Sequence, residues 1–137
     1  VGYLRIGELA KKTGTSTETL RFYENKDLIE APRRSDNGYR LYTKADVARV
    51  DFIVKSKSLG FSLKEIEELL SLRVERESAT CGEVKKLAEA KLMTIEEKLL
   101  ELTQMKIALQ KITDACCGGD TSAVECTILN SLDEADS

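Results

Sequence analysis

With 137 residues and a formal net charge of −3, the chain is long enough for one compact domain with an extension, and its overall charge argues weakly against nucleic-acid binding. No apolar run approaches the roughly 18 residues of a membrane helix, and no charged-then-apolar leader is present. No membrane partner is therefore expected, and the expected location is the reducing cytoplasm. The charge is unevenly spread: residues 1–60 hold 12 Lys+Arg against 8 Asp+Glu, and residues 61–137 hold 9 against 16. That split predicts a basic head suited to a polyanion, joined to an acidic remainder.

In chain order, Ile6-Gly7-Glu8-Leu9-Ala10 opens a short amphipathic helix that ends near Thr13-Gly14. Thr15 offers an N-cap with Glu18 at N3, a capping box, for a second helix over residues 16–25 that turns Leu20 to a core. Two short helices across a tight glycine-containing turn read as helix-turn-helix rather than an ordinary helical hairpin. Pro32, Arg33 and Arg34 then lead to Asn37-Gly38, a strong two-residue hairpin signal because both positions tolerate positive φ. The return strand is Tyr39-Arg40-Leu41-Tyr42. A hairpin this rich in Arg and Tyr, beside a helix-turn-helix, reads as a wing that grips phosphates; the plain alternative is a solvated hairpin.

Thr43 with Asp46 caps a helix to about residue 59, and Gly60 ends it. Ser62 with Glu65 starts another, running to about residue 73. Val50, Ile53 and Val54, then Leu63, Ile66, Leu69 and Leu70, mark their inner faces at helical spacing. After a polar connector, Thr80 with Glu83 launches the longest helix. Its apolar residues Ala88, Leu92, Ile95, Leu99, Leu102, Met105, Leu109 and Ile112 alternate at three and four, a coiled-coil seam. A lone helix cannot bury that seam, so an antiparallel pair with a second copy is expected, a homodimer. Ser122 with Glu125 predicts a final short helix that carries Cys126, followed by an acidic tail. The expected fold class is mainly α: a winged helix-turn-helix head over 1–73, a connector at 74–80, a dimerisation helix at 81–115, and a loop with a terminal helix at 116–137.

Four cysteines stand in a chain with no histidine: Cys81, Cys116, Cys117 and Cys126. Such a set serves either disulfides or a soft metal ion. Cys81 falls at N1 of the long helix and Cys126 in the first turn of the last one, where a helix N-terminus favours thiolate. Cys81 and the Cys116-Cys117 loop flank opposite ends of one helix of roughly 50 Å at about 1.5 Å per residue, so they cannot meet within one chain. In an antiparallel dimer Cys81 of a second copy comes alongside the loop, and the metal site would be shared. An all-sulfur shell suits Zn(II), Cd(II), Pb(II) or Hg(II). An enzyme is not expected, because no histidine or general base accompanies the cysteines.

These pieces resemble the MerR family of bacterial transcription activators, and within it the branch that responds to zinc and related divalent ions. The resemblance is carried by RIGELAKKTGTSTETLRFYE, RSDNGYRLYTKADVARVDFI, SLGFSLKEIEELLSL, Cys81 before the long helix, and DACCGGDTSAVECTIL. It implies a DNA-binding regulator whose dimer sits on a palindromic operator in an overlong promoter spacer. Metal binding would bend and untwist that double-stranded DNA so that RNA polymerase engages both promoter elements. By position, Ser16, Thr17, Glu18 and Arg21 would face the major groove and Tyr23 the backbone, while Phe22 would face the core. Arg5, Arg34, Tyr39, Arg40 and Tyr42 would contact phosphates. Cys116 and Cys126 would hold one ion with Cys81 of the second copy. Zinc-responsive relatives hold a second ion through the other loop cysteine and a histidine. Here Thr121 stands at that place, which leaves Cys117 with Asp120. Zinc is placed first among the ions, with cadmium, lead and mercury behind it. The rival reading is a thiol-redox regulator on the same scaffold.

Overall fold

In the computed structural model, which describes residues 2–30, 33–120 and 122–134, the chain is mainly helical with one small antiparallel hairpin, the fold class expected. Helix α1 (Ile6–Thr13) opens where the Glu8 carboxylate accepts the Arg5 backbone N–H at 3.1 Å. It closes at Gly14, whose φ of 68° only glycine adopts without strain. Helix α2 (Thr17–Asn25) starts one residue later than the sequence suggested. Ser16, not Thr15, accepts the Thr19 N–H, at 3.1 Å. The Thr15 hydroxyl is turned back toward the Thr13 carbonyl at 3.4 Å, and Glu18 therefore sits at N2 and closes no box.

Strands β1 (Arg33–Arg34) and β2 (Arg40–Leu41) pair antiparallel, Arg33 opposite Leu41 and Arg34 opposite Arg40. The turn differs from the expected two-residue Asn-Gly type. The Gly38 N–H donates to the Ser35 carbonyl at 2.8 Å, so Asp36 and Asn37 are the central pair and Gly38 alone takes positive φ, 82°. A turn followed by one left-handed glycine relieves Asn37 of that conformation. Pro32, which the sequence places just before β1, lies outside the described residues. Leu4 and Tyr42 exchange two backbone hydrogen bonds of 2.7 Å, which lays the start of the chain along the hairpin.

Helices α3 (Lys44–Ser58) and α4 (Leu63–Val74) begin at the capping boxes read from sequence. The Thr43 N–H donates to Asp46 and the Ser62 N–H to Glu65, each at 2.8 Å. Helix α1 packs on α2 and α3, and α3 on α4. Their inner faces supply the core: Leu9, Leu20, Tyr23, Val50, Ile53, Ile66 and Leu70, closed by Leu28, Ile29, Tyr42 and Phe61. Each such side chain contributes about 1.5–3 kcal/mol through burial.

The chain divides into two units, Val1–Lys91 and Leu92–Ser137. Helix α5 (Cys81–Asp114) starts at the predicted Thr80–Glu83 box, with the Glu83 N–H donating to the Thr80 hydroxyl at 3.2 Å. The first unit includes the start of α5. Lys91 pairs with Glu65 of α4 at 2.9 Å and lies 5.9 Å from the centre of the Phe61 ring. No residue of α5 is buried, and the seam leucines Leu92, Leu99, Leu102 and Leu109 all stand more than half exposed. In the second unit, Ser122 starts a single 3-10 turn (Ala123–Glu125) rather than the expected helix. The Cys126 N–H donates to the Ala123 carbonyl at 3.1 Å and its backbone turns extended, so Cys126 becomes the N-cap of α6 (Thr127–Asp133). Among the described residues no helix is long and apolar enough to cross a membrane.

The Ser62 backbone N–H, then Lys91, hold Glu65 down at about 2 from its ordinary 4.5. A depressed carboxylate stabilises the fold fully above about 4.5 and loses that contribution as pH falls toward 2. Glu65→Ala should therefore cost roughly 1 kcal/mol at pH 7, a modest figure because the pair is only partly buried. Thermal unfolding at fixed protein concentration should show the gap from wild type closing between pH 4.5 and 2. A gap of constant size across that window would contradict this account.

Candidate nucleic-acid interface and metal centre

The outer face of α2 follows from its start at Thr17. Leu20 and Tyr23, three apart, take the inner face and are buried. Glu18 and Arg21 take the outer face and are exposed. Two expectations exchange places here. Phe22, expected in the core, is 44% exposed with the Lys26 amine 5.8 Å from its ring centre. Tyr23, expected at the DNA backbone, packs in the core, and desolvation raises its phenol pKa. Ser16 uses its hydroxyl in the cap, where it also meets the Thr19 hydroxyl at 2.8 Å. Thr17 is half-buried.

The wing residues divide by what they touch. Tyr42, expected at a phosphate, is fully buried and its hydroxyl donates to Glu24 at 3.1 Å. Burial first, then the Glu24 charge, push its phenol up to about 12. Its place on the strand next to Leu4 turns the ring inward and removes it from the solvent-facing set. Arg40 lies 3.6 Å from the same Glu24 carboxylate and is also drawn inward. Arg34 donates to the Gly38 carbonyl at 2.9 Å across the hairpin tip. Arg5 stacks over the Tyr39 ring at 4.1 Å, both exposed. Sequence reasoning missed one pair: exposed Arg33 donates to the Tyr3 hydroxyl at 2.9 Å. No local spacing joins residues thirty apart; the Leu4–Tyr42 bridge does.

The thiols are grouped in part. Cys116, Cys117 and Cys126 line one hollow of about 490 Å³, with Gly118 and Gly119 in its rim. No disulfide joins any of the four cysteines. The Cys126 sulfur makes no short capping bond, but the amides of Leu129 and Ile128, with the Cys116 thiol, favour its thiolate and lower its pKa. Gly118 takes φ 73°, which lets the loop turn directly after the cysteine pair. Cys81 is exposed at the first position of α5. Among the described residues, no three Cys, Asp, Glu or His side chains converge closely enough to hold an ion. The donor chemistry nevertheless fits a soft or borderline divalent cation: sulfur ligands, one with a lowered pKa, and no histidine in the chain. Thr121 lies outside the described residues.

A winged helix-turn-helix head, continued by a long helix with a bare apolar seam and a thiol-lined loop, defines a DNA-binding transcriptional regulator. The MerR HTH family regulatory protein signature matches residues 4–72, and the MerR DNA-binding signature matches residues 47–112. The HTH-type transcriptional regulator ZntR of Escherichia coli K12 is 43% identical over 130 residues, covering 95% of this chain and 92% of that protein. Among solved structures, PbrR691 of Ralstonia metallidurans CH34 in complex with lead(II) is 37% identical with a TM-score of 0.81, covering 94% of this chain and 98% of that one. MerR of Bacillus megaterium MB1 in complex with mercury(II) is 34% identical with a TM-score of 0.71, covering 96% and 100%. The chain belongs to the MerR family of helix-turn-helix regulatory proteins.

Because the thiolate is the nucleophile, the lowered pKa of Cys126 has a kinetic signature. Iodoacetamide labelling of the metal-free protein, read by peptide mass spectrometry, should show a rate-against-pH midpoint for Cys126 below the ordinary thiol value of 9.0. A midpoint at or above 9.0 would remove the electrostatic argument for this position.

Proposed function

We propose that this protein is a homodimeric MerR-type activator that senses a soft or borderline divalent metal ion. Zn(II) is placed first, and Cd(II), Pb(II) and Hg(II) are the other candidates. The observation that carries the reading is the loop: Cys116, Cys117 and Cys126 line one hollow, and the Leu129 amide lowers the Cys126 pKa. Cys116 and Cys126 make an incomplete ligand set, and Cys81 of a second copy completes it. The bare α5 seam supports the second copy, since exposing Leu92, Leu99, Leu102 and Leu109 to water is costly for an isolated chain. The lead(II) and mercury(II) complexes of PbrR691 and MerR support the ion class.

In this reading α2 presents Glu18 and Arg21, with Thr17, to the major groove, and the wing sets position on the phosphates through Arg5, Arg34 and Tyr39. The ion, when bound, supplies the link between sulfurs of two chains. Cys81 starts the helix that carries Lys91 and its bond to Glu65 of the head. Tension on Cys81 would therefore reach the DNA-binding unit through α5 and α4. A dimer whose heads shift would deform a palindromic operator between two promoter elements, and RNA polymerase would then engage both. Cys117 with Asp120 is left as a second candidate ion site.

The shared site has a decisive genetic arrangement. One chain carries Cys81→Ser and the other Cys116→Ser with Cys126→Ser. Co-purified as a heterodimer, the pair should keep one intact site and about half the metal stoichiometry, while each mutant homodimer keeps none. Buffered titrations with zinc, cadmium, lead and mercury under reducing conditions, coupled to in vitro transcription, would measure this and rank the ions. A Cys81→Ser homodimer that keeps the full metal stoichiometry and response would show that the ligands come from one chain.

A further inference from the structure

The arginines expected at phosphates do not use their donors equally, and one exposed donor pair on the wing, Arg33 with Tyr3, had no signal in the sequence. A guanidinium has five N–H donors and a tyrosine hydroxyl has one. Arg40 lies 3.6 Å from the Glu24 carboxylate with its side chain 27% exposed, so its charge faces inward as an ion pair, while its buried Nε makes no hydrogen bond among the described residues. Arg34 has given one N–H to the Gly38 carbonyl, an acceptor that passes nothing on. Arg33 has also given one, but to the Tyr3 hydroxyl at 2.9 Å. An oxygen that accepts a charge-assisted hydrogen bond becomes a better donor through its own O–H. The Arg33–Tyr3 pair thus spends one Arg33 N–H internally and keeps the Tyr3 O–H as a polarised outward donor. Tyr3 is 41% exposed and Arg33 is exposed on β1, so both reach solvent. No acidic partner of Arg33 is found among the described residues.

We infer that Arg33 and Tyr3 together form a phosphate-binding unit of the wing, and that Arg40 is a positioning residue that holds the wing to the recognition helix through Glu24. The assignment rests on the DNA-binding reading above and extends it to two residues that neither motif nor spacing indicated. The ligand chemistry is a backbone phosphate diester: one oxygen faces the Arg33 guanidinium and the neighbouring oxygen accepts the Tyr3 O–H. Such contacts position a protein on a duplex without reading its sequence.

The test uses the full-length protein and a 30-base-pair operator duplex selected from a random pool with the wild type, with affinity followed by fluorescence anisotropy across a salt series. One phosphate contact per protomer, two per dimer, should flatten the log affinity against log salt slope by about 1.8 in Arg33→Gln. Arg33→Lys should restore the slope. Tyr3→Phe should weaken binding severalfold at every salt concentration with the slope kept. Arg40→Gln should lower the unfolding temperature with the slope kept; circular dichroism of each variant checks the fold. An unchanged slope in Arg33→Gln, or a slope change in Arg40→Gln with the fold intact, would overturn the assignment. A wild-type protein that selects no duplex would overturn the DNA-binding reading itself, and this inference with it.

Discussion

The constraint on which most of the structure depends is the apolar seam of α5. A 34-residue helix with no buried residue is not a stable way to end a small domain. Helix propensity alone is marginal in water, and such helices persist when one face is packed. The seam therefore demands a second helix of similar length, and among the described residues none stands elsewhere: α6, which follows, is seven residues long. In the proposed dimer the same helix meets that demand and also brings together sulfurs that one chain keeps apart. The fold requirement and the sensing chemistry are then one requirement.

In the first unit, Glu24 plays the corresponding part. It sits near the end of α2 and takes the Tyr42 hydroxyl bond at 3.1 Å and the Arg40 ion pair at 3.6 Å. The return strand of the wing and the residue after it are thereby both tied to one carboxylate on α2. Burial makes this economical: Tyr42 fills core volume with its ring while its hydroxyl finds a charged acceptor. In the proposed reading, a fixed distance between α2 and the wing lets the protein meet a groove and its flanking phosphates together. It explains why an Arg and a Tyr that look solvent-facing in the sequence are turned inward.

Much of this was legible residue by residue. The boxes at Thr43–Asp46, Ser62–Glu65 and Thr80–Glu83 marked three helix starts, because each is a local pairing of side chain and backbone amide that needs no distant partner. Gly14 and Gly60 marked ends for the same reason: positive φ is a property of the residue itself. The seam of α5 was legible because apolar residues recur at three- and four-residue intervals from Ala88 to Ile112, which puts them on one helix face. The Thr15 and Asn37 readings missed by one residue, since two adjacent polar side chains compete for one cap and two adjacent residues for one turn. The inward turn of Tyr23 and Tyr42 and the outward turn of Phe22 were not legible. Aromatic neighbours in a short helix differ in exposure only through what packs beneath them.

The sequence by itself determined the family, the mainly helical class, the helix starts and the four sulfurs that define the chemistry, because these rest on local hydrogen bonding, periodicity and residue type. Only the tertiary structure decided which aromatics enter the core and which arginines remain free to meet an anion. It also decided that Cys126 caps a helix end, where the amides of Leu129 and Ile128 favour its thiolate. Those outcomes depend on which residues from distant parts of the chain arrive side by side, as Arg33 meets Tyr3 and Tyr42 meets Glu24, and no local pattern encodes such a meeting.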